Sequence, residues 1–215
     1  MTKKLLITRA KHNPDNEYLY TYSKEILDVA ATEGWVAHKA EDTDATRKNV
    51  ISRLSGTQYK LVVLNGHGEA DLIRGHNDEI LLTCDDAALL RGTIVFFRSC
   101  DTISGLGRAA ADKGGAKAAV GYAEAFSFYG QTGYEFRRLQ DPLAKPVLEV
   151  SNLVATKLIK GSSVQDAMRT SRREARERVR KLLSHPADQH NLLIIDMLVQ
   201  NAIALTCAGN ELASV

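Results

Sequence analysis

Apolar runs alternate with amphipathic stretches along this chain, and their periods predict an α/β order. Residues 4–10, with Leu5-Leu6-Ile7 at their centre, read as a short buried strand. After the polar turn His12-Asn13-Pro14-Asp15-Asn16, the residues Tyr18, Tyr22, Ile26, Val29 and Ala30 recur at helical spacing up to Gly34, which suits a helix stop. Residues 35–38 predict a second strand, residues 46–55 a helix with Val50, Ile51 and Leu54 inward, and residues 60–66 a third strand. The order changes next. Two β-prone runs, residues 71–73 and 79–83, flank Gly75-His76-Asn77-Asp78, which is hairpin chemistry.

Alternation then resumes with a brief helix at 86–90, a strand at 93–99, a helix over 102–113 and a strand at 117–121. Beyond Pro146 the pattern is mostly helical. A helix spans 148–159, and Ser163-Val164-Gln165-Asp166 has the capping-box form opening another that runs to Leu183, with Val164, Met168, Ser171, Ala175, Val179 and Leu182 inward. A helix over 188–200 and a last strand over 202–207, stopped by Gly209-Asn210, complete the pattern. No repeat or long linker divides it, so the expectation is one domain spanning 1–215: a mostly parallel central sheet flanked by helices, with a small β-hairpin after the third strand.

Composition changes little: 215 residues, 44% hydrophobic and 25% charged, are enough for one substantial core. A net charge of +2 gives no whole-surface reason to expect nucleic acid or membrane as partner, and no apolar run approaches the ~20 residues of a spanning helix. Three cysteines, Cys84, Cys100 and Cys207, are an odd number without CxxC spacing, which favours free thiols and a cytoplasmic protein. Neither they nor His67 and His76 have metal-ligand spacing, so no metal and no cofactor is expected.

The chemistry sits at two strand ends. His67-Gly68 follows the apolar run Leu61-Val62-Val63-Leu64-Asn65-Gly66, and Cys100 follows Ile94-Val95-Phe96-Phe97-Arg98-Ser99. In a parallel sheet the carboxyl ends of strands form the ligand crevice, so a base and a thiol nucleophile would meet at one edge. The N–H groups of Gly68 and Cys100 are candidates for an oxyanion hole, Gly68 because a residue without Cβ lets a carbonyl come close. Asn65 and Asp71 are near enough in sequence to orient the imidazole, and neither is singled out. Gly105-Leu106-Gly107-Arg108-Ala109-Ala110 has GxGxxA form but lies within a helical run past its strand, where tight packing explains the glycines better than a dinucleotide does. The arginine-rich stretch 163–183 reads as a solvated face laced with pairs such as Glu174/Arg178 and Glu177/Lys181, in preference to a nucleic-acid or partner-docking surface.

Asn65-Gly66-His67-Gly68 and Ile94 through Thr102, in this order, resemble the caspase-like (clan CD) cysteine peptidases, specifically their prokaryotic CHAT-type branch; the intervening hairpin and residues 201–210 are similar to that branch too. The resemblance implies a caspase-like fold, with His67 as general base and acid, Cys100 as the acylated nucleophile and the Gly68 and Cys100 amides as oxyanion hole. It also implies an intracellular endopeptidase acting on a protein substrate, under an activator or regulatory protein, in a defence or cell-death pathway. Asp71, Asp101 and Glu124 are the acids near the site that could favour a basic P1 residue. The alternative is a catalytically inactive partner-binding or signalling module of the same fold.

Overall fold

A computed structural model describes residues 2–184 and 189–215. In chain order the first strands are β1 (Lys4–Arg9), β2 (Val36–Glu41) and β3 (Leu61–Asn65), joined by α1 (Pro14–Thr32) and α2 (Arg47–Gly56). Three short strands follow, β4 (Gly68–Glu69), β5 (Leu72–Arg74) and β6 (Ile80–Thr83), then β7 (Ile94–Arg98), α3 (Arg108–Asp112) and β8 (Ala118–Tyr122). The chain ends with α4 (Ala144–Ile159), α5 (Val164–Leu183), α6 (Gln189–Ala204) and β9 (Leu205–Gly209).

The main sheet runs β2-β1-β3-β7-β8-β9, parallel except for β9, which is antiparallel to β8. Side-chain alternation divides its core in two. Leu5, Ile7, Leu61, Val63, Ile94 and Phe96 face α1 and α4, while Leu6, Val62, Leu64, Val95 and Phe97 face α2, β6 and α3. This is the caspase-like α/β arrangement expected from the sequence, with helices on both faces.

The expected hairpin is β5-β6, and β4 joins it as a third antiparallel strand. Two expectations shift. Residues 202–204 belong to α6, so the last strand begins only at Leu205. A short apolar run satisfies either period, and here the amide of Asn201 on that last helical turn is spent on the backbone of Ser127, which holds the turn in place. Residues 103–107 form a π-helical turn ahead of a short α3, not one regular helix, because Leu106 N–H reaches out of the helix to Ala70 O (2.7 Å). Its Gly105 packs on that same hairpin carbonyl, the tight packing expected of these glycines. The Ser163 cap is present, with the hydroxyl accepting from Asp166 N–H at 3.1 Å. The expected helix start at Asp188 lies outside the described residues.

Residues 123–143 carry little regular structure, yet they are pinned. The fully buried Asp141 carboxylate accepts from Leu143 N–H (2.8 Å), Ala144 N–H (3.1 Å) and Gln131 N–H (2.8 Å), and from the Tyr18 hydroxyl on α1. Burial, then Asp141 itself, pushes the Tyr18 phenol far above its ordinary value, so it stays a donor. Asp141→Ala strands these buried donors and is expected to cost about 3 kcal/mol, lowering Tm by roughly 6–12 °C in a thermal melt. A shift under 2 °C would show that water replaces the carboxylate.

Candidate active site

Because β3 and β7 are neighbours in register, with Asn65 opposite Arg98, their carboxyl ends deliver His67 and Cys100 to one edge of the sheet. Both side chains are half-buried and line a cleft of about 220 Å³, together with Gly66, Ser99, Asp15, Leu19 and the segment Phe126-Ser127-Phe128-Tyr129. Around Cys100 the backbone turns sharply. Asp101 takes φ +51°, a conformation that Asp tolerates through local hydrogen bonds: its carboxylate accepts from the Ser104 hydroxyl at 2.6 Å and its carbonyl from Ser104 N–H. Asp101 N–H donates to Glu124 O, tying the turn after β7 to the one after β8.

Cys100 Sγ accepts a hydrogen bond from Phe126 N–H at 3.3 Å. Phe126 is itself fixed by stacking on Tyr122, centroids 4.4 Å apart. Beneath them lies Arg98, wholly buried, donating to Ser151 Oγ (3.0 Å) and Leu148 O (3.1 Å) with no carboxylate among its hydrogen-bond partners. Burial lowers its pKa to about 10, so the guanidinium keeps its charge at neutral pH.

Gly68 has to be glycine. A Cβ there would stand 2.2 Å from Thr102 Oγ1 and 2.6 Å from Cys100 O, so the His67-Gly68 turn lies directly against the Cys100 backbone. Gly66, with φ +157°, would set a Cβ 2.0 Å from Arg74 O. The Gly68 contact brings the two candidate oxyanion residues, Gly68 and Cys100, together.

His67 has a partner that the sequence did not single out. Asn13, in the turn after β1, caps α1: its Oδ1 accepts from Asn16 N–H (2.9 Å) and from the Asn16 side-chain amide (3.0 Å). With the oxygen so committed, the Asn13 amide nitrogen faces His67 Nε2 at 2.8 Å and donates to it. His67 Nε2 is therefore an acceptor, and a neutral ring carries its proton on Nδ1. His12 stands beside this pair, its ring 6.4 Å from that of His67 and its Nε2 3.0 Å from Asp78 Oδ1.

The remaining sequence candidates lie elsewhere. Asn65 clamps β3 to β1, donating to Thr8 O at 2.6 Å, and does not touch the imidazole. Asp71 and Glu124 are exposed, and neither they nor Asp101 are among the residues lining the cleft. The acid at the cleft is Asp15, in the first turn of α1. Asn13 and Asp15 sit at the end of a third strand on the same sheet edge, which is the signal that could have found them. Among the described residues no group of three or more His, Cys, Asp or Glu side chains is disposed to hold a metal ion, and no helix is long and apolar enough to cross a membrane.

The fold and the paired strand ends define a caspase-like α/β scaffold. Among solved structures the chain is similar to the Arg-specific cysteine proteinase gingipain R (RgpB), with TM-score 0.58 and 14% identity over 99% of this chain and 47% of that one. It is likewise similar to the complex of Porphyromonas gingivalis RgpB pro- and mature domains, with TM-score 0.61, 13% identity and coverage of 99% and 48%. The chain thus spans about half the length of these structures. At such identity the likeness is one of fold. No protein-family model and no curated protein matches the sequence.

Proposed function

We propose that this chain is a cysteine endopeptidase of the caspase-like, CHAT-type kind, hydrolysing a protein substrate through a thioester on Cys100. The observation that carries this reading is the convergence of His67 and Cys100 from adjacent strand ends on one cleft. In the reaction, the thiol proton passes to the imidazole and Cys100 Sγ attacks the scissile carbonyl. The oxyanion is met by the N–H groups of Gly68 and Cys100, and the imidazolium returns its proton to the departing amine. Water, deprotonated by His67, then cleaves the thioester. The setting is a cytoplasmic defence or cell-death pathway with a regulatory partner.

Specificity follows from the cleft's lining. Its aromatic wall suits the stem of a long side chain, and Asp15 at the rim suits a cationic head, in keeping with the Arg specificity of the similar proteinase. Glu124, Asp101 and Asp71 are left to more distant subsites. Because Asp15 is exposed, its ion pair is screened and contributes no more than about 1 kcal/mol. Asp15→Asn should lower kcat/KM on Arg and Lys peptides by roughly three- to fivefold and leave neutral P1 peptides unchanged. Equal effects on both peptide sets would remove Asp15 from the pocket.

Hydrogen-bond donation from Asn13 to His67 Nε2 favours the alternative, a non-catalytic module, since that nitrogen must carry a proton in the imidazolium. Alkylation decides between the two. Burial, aided by Asp71 at Cys84 and by Glu211 at Cys207, pushes both of those thiols above the ordinary range. Iodoacetamide at neutral pH should therefore label Cys100 first, by at least about tenfold as read by peptide mass spectrometry. Equally slow labelling of all three would support the module.

A further inference from the structure

The strongest unassigned surface is a groove between α5 and α6, on the flank formed by the helices after β8. It has a volume of about 440 Å³. Ala175, Val179, Leu198 and Ala202 form its floor. One wall is apolar, made by Val199 and Ile203, the latter 73% exposed. The opposite wall is cationic: Arg172, Arg176 and Arg180 repeat every fourth residue along α5, spanning about 12 Å at 1.5 Å per residue. Arg172 is used internally, donating to Ala202 O and Leu205 O. Among the described residues Arg180 pairs only with its helix neighbour Glu177, and Arg176 makes no ion pair. The sole acid on α6 among the described residues is Asp196, which bonds Gln200 and does not line the groove.

We propose that this groove receives an amphipathic helix of a partner protein that carries an acidic stripe beside its apolar one. The floor and the Ile203 wall take the partner's i, i+3, i+4, i+7 apolar side chains, and the Arg176/Arg180 wall selects acids flanking them. Charge complementarity on one side only fixes the helix's rotation about its axis, which a uniformly apolar groove would not do. The concave shape favours a helix over a lipid surface, which a flat or projecting face would suit better. The arginine-rich helix, which in the sequence reads as solvated and self-paired, is so at Glu174/Arg178, while Glu177 pairs with Arg180 instead of the expected Lys181 and Arg176 pairs with no acid among the described residues. The surface stands apart from the His67 and Cys100 cleft, so the proposal is independent of catalysis.

The test uses a fluorescent 21-residue peptide with Leu at helical spacing and Glu alongside, and its counterpart with Lys in place of Glu, titrated by anisotropy against the whole chain carrying Cys100→Ala to prevent cleavage. The acidic peptide should bind at least tenfold more tightly than the basic one. Ile203→Asp should weaken it tenfold or more, and Arg176→Glu with Arg180→Glu should reverse the preference in favour of the Lys peptide. Ile203 and Arg176 are exposed, so the melting temperature of each variant should stay unchanged. Equal binding of both peptides, or no binding of either, would overturn the proposal. Self-association in light scattering that Ile203→Asp abolishes would assign the groove to a second copy, and preferential binding to phosphatidylserine vesicles would assign it to a membrane; either result overturns the proposal.

Discussion

Cys100→Ala and His67→Ala should each lower peptidase kcat/KM by at least about 10⁴-fold, and the double variant should lose no more than the worse single one. The non-additivity is the informative part. A nucleophile and the base that activates it act as one unit, so once either is gone the other has nothing left to contribute, and only the oxyanion donors and substrate binding remain. Both side chains are half-buried at strand ends, outside the strands themselves, and neither is among the fully buried core residues. Truncation should therefore leave the thermal melt within about 1 kcal/mol of the parent. Retention of near-parental activity by Cys100→Ala would end the assignment. Losses that multiply would mean that the two residues serve separate steps.

What the sequence could reveal, and what it could not, follows from how far each feature reaches along the chain. β3 and β7 are legible because strands buried on both faces read as continuous apolar runs, and residues that close such runs fall at a sheet edge. The neighbourhood of β3 and β7 rests on many-residue register, and parallel α/β order predicts it. The cleft walls are different. Phe126, Phe128 and Tyr129 come from a stretch without periodicity, held by tertiary bonds from Asn201 and Asp141 that lie 74 and 10 residues away. Its first residues line the cleft and are bonded to α6 and to Cys100 itself. Polar turn residues are the hardest to read, because a cap and a catalytic contact use the same side chains: His12-Asn13-Pro14 looks like a helix start and is one, and the second bond made by the Asn13 amide leaves no trace in the local pattern.

That second bond yields a prediction with an unusual sign: Asn13→Asp should raise activity. The imidazolium that accompanies a Cys100 thiolate needs Nε2 as donor, yet in the structure Nε2 accepts from Asn13. To present oxygen instead, the amide must turn and release the Asn16 N–H, losing an N-cap of about 1 kcal/mol, or roughly a fivefold loss of the reactive population. Aspartate caps as well as asparagine does, and its second oxygen would face Nε2 without any turning. Asn13→Asp should accordingly increase kcat/KM at neutral pH by about three- to tenfold, with an unchanged melt. The pH profile should extend on its alkaline side, since a carboxylate there holds the imidazolium against deprotonation. Asn13→Ala should lose the cap, lower Tm by roughly 2–4 °C and reduce kcat, because the ring is left unheld. Nitrogen chemical shifts of His67 give a readout that does not depend on turnover: the neutral ring of the parent should be protonated at Nδ1, and Asn13→Asp should move the proton to Nε2. A parent ring already protonated at Nε2, or a pH profile that the aspartate leaves unmoved, would show that Asn13 serves the helix alone.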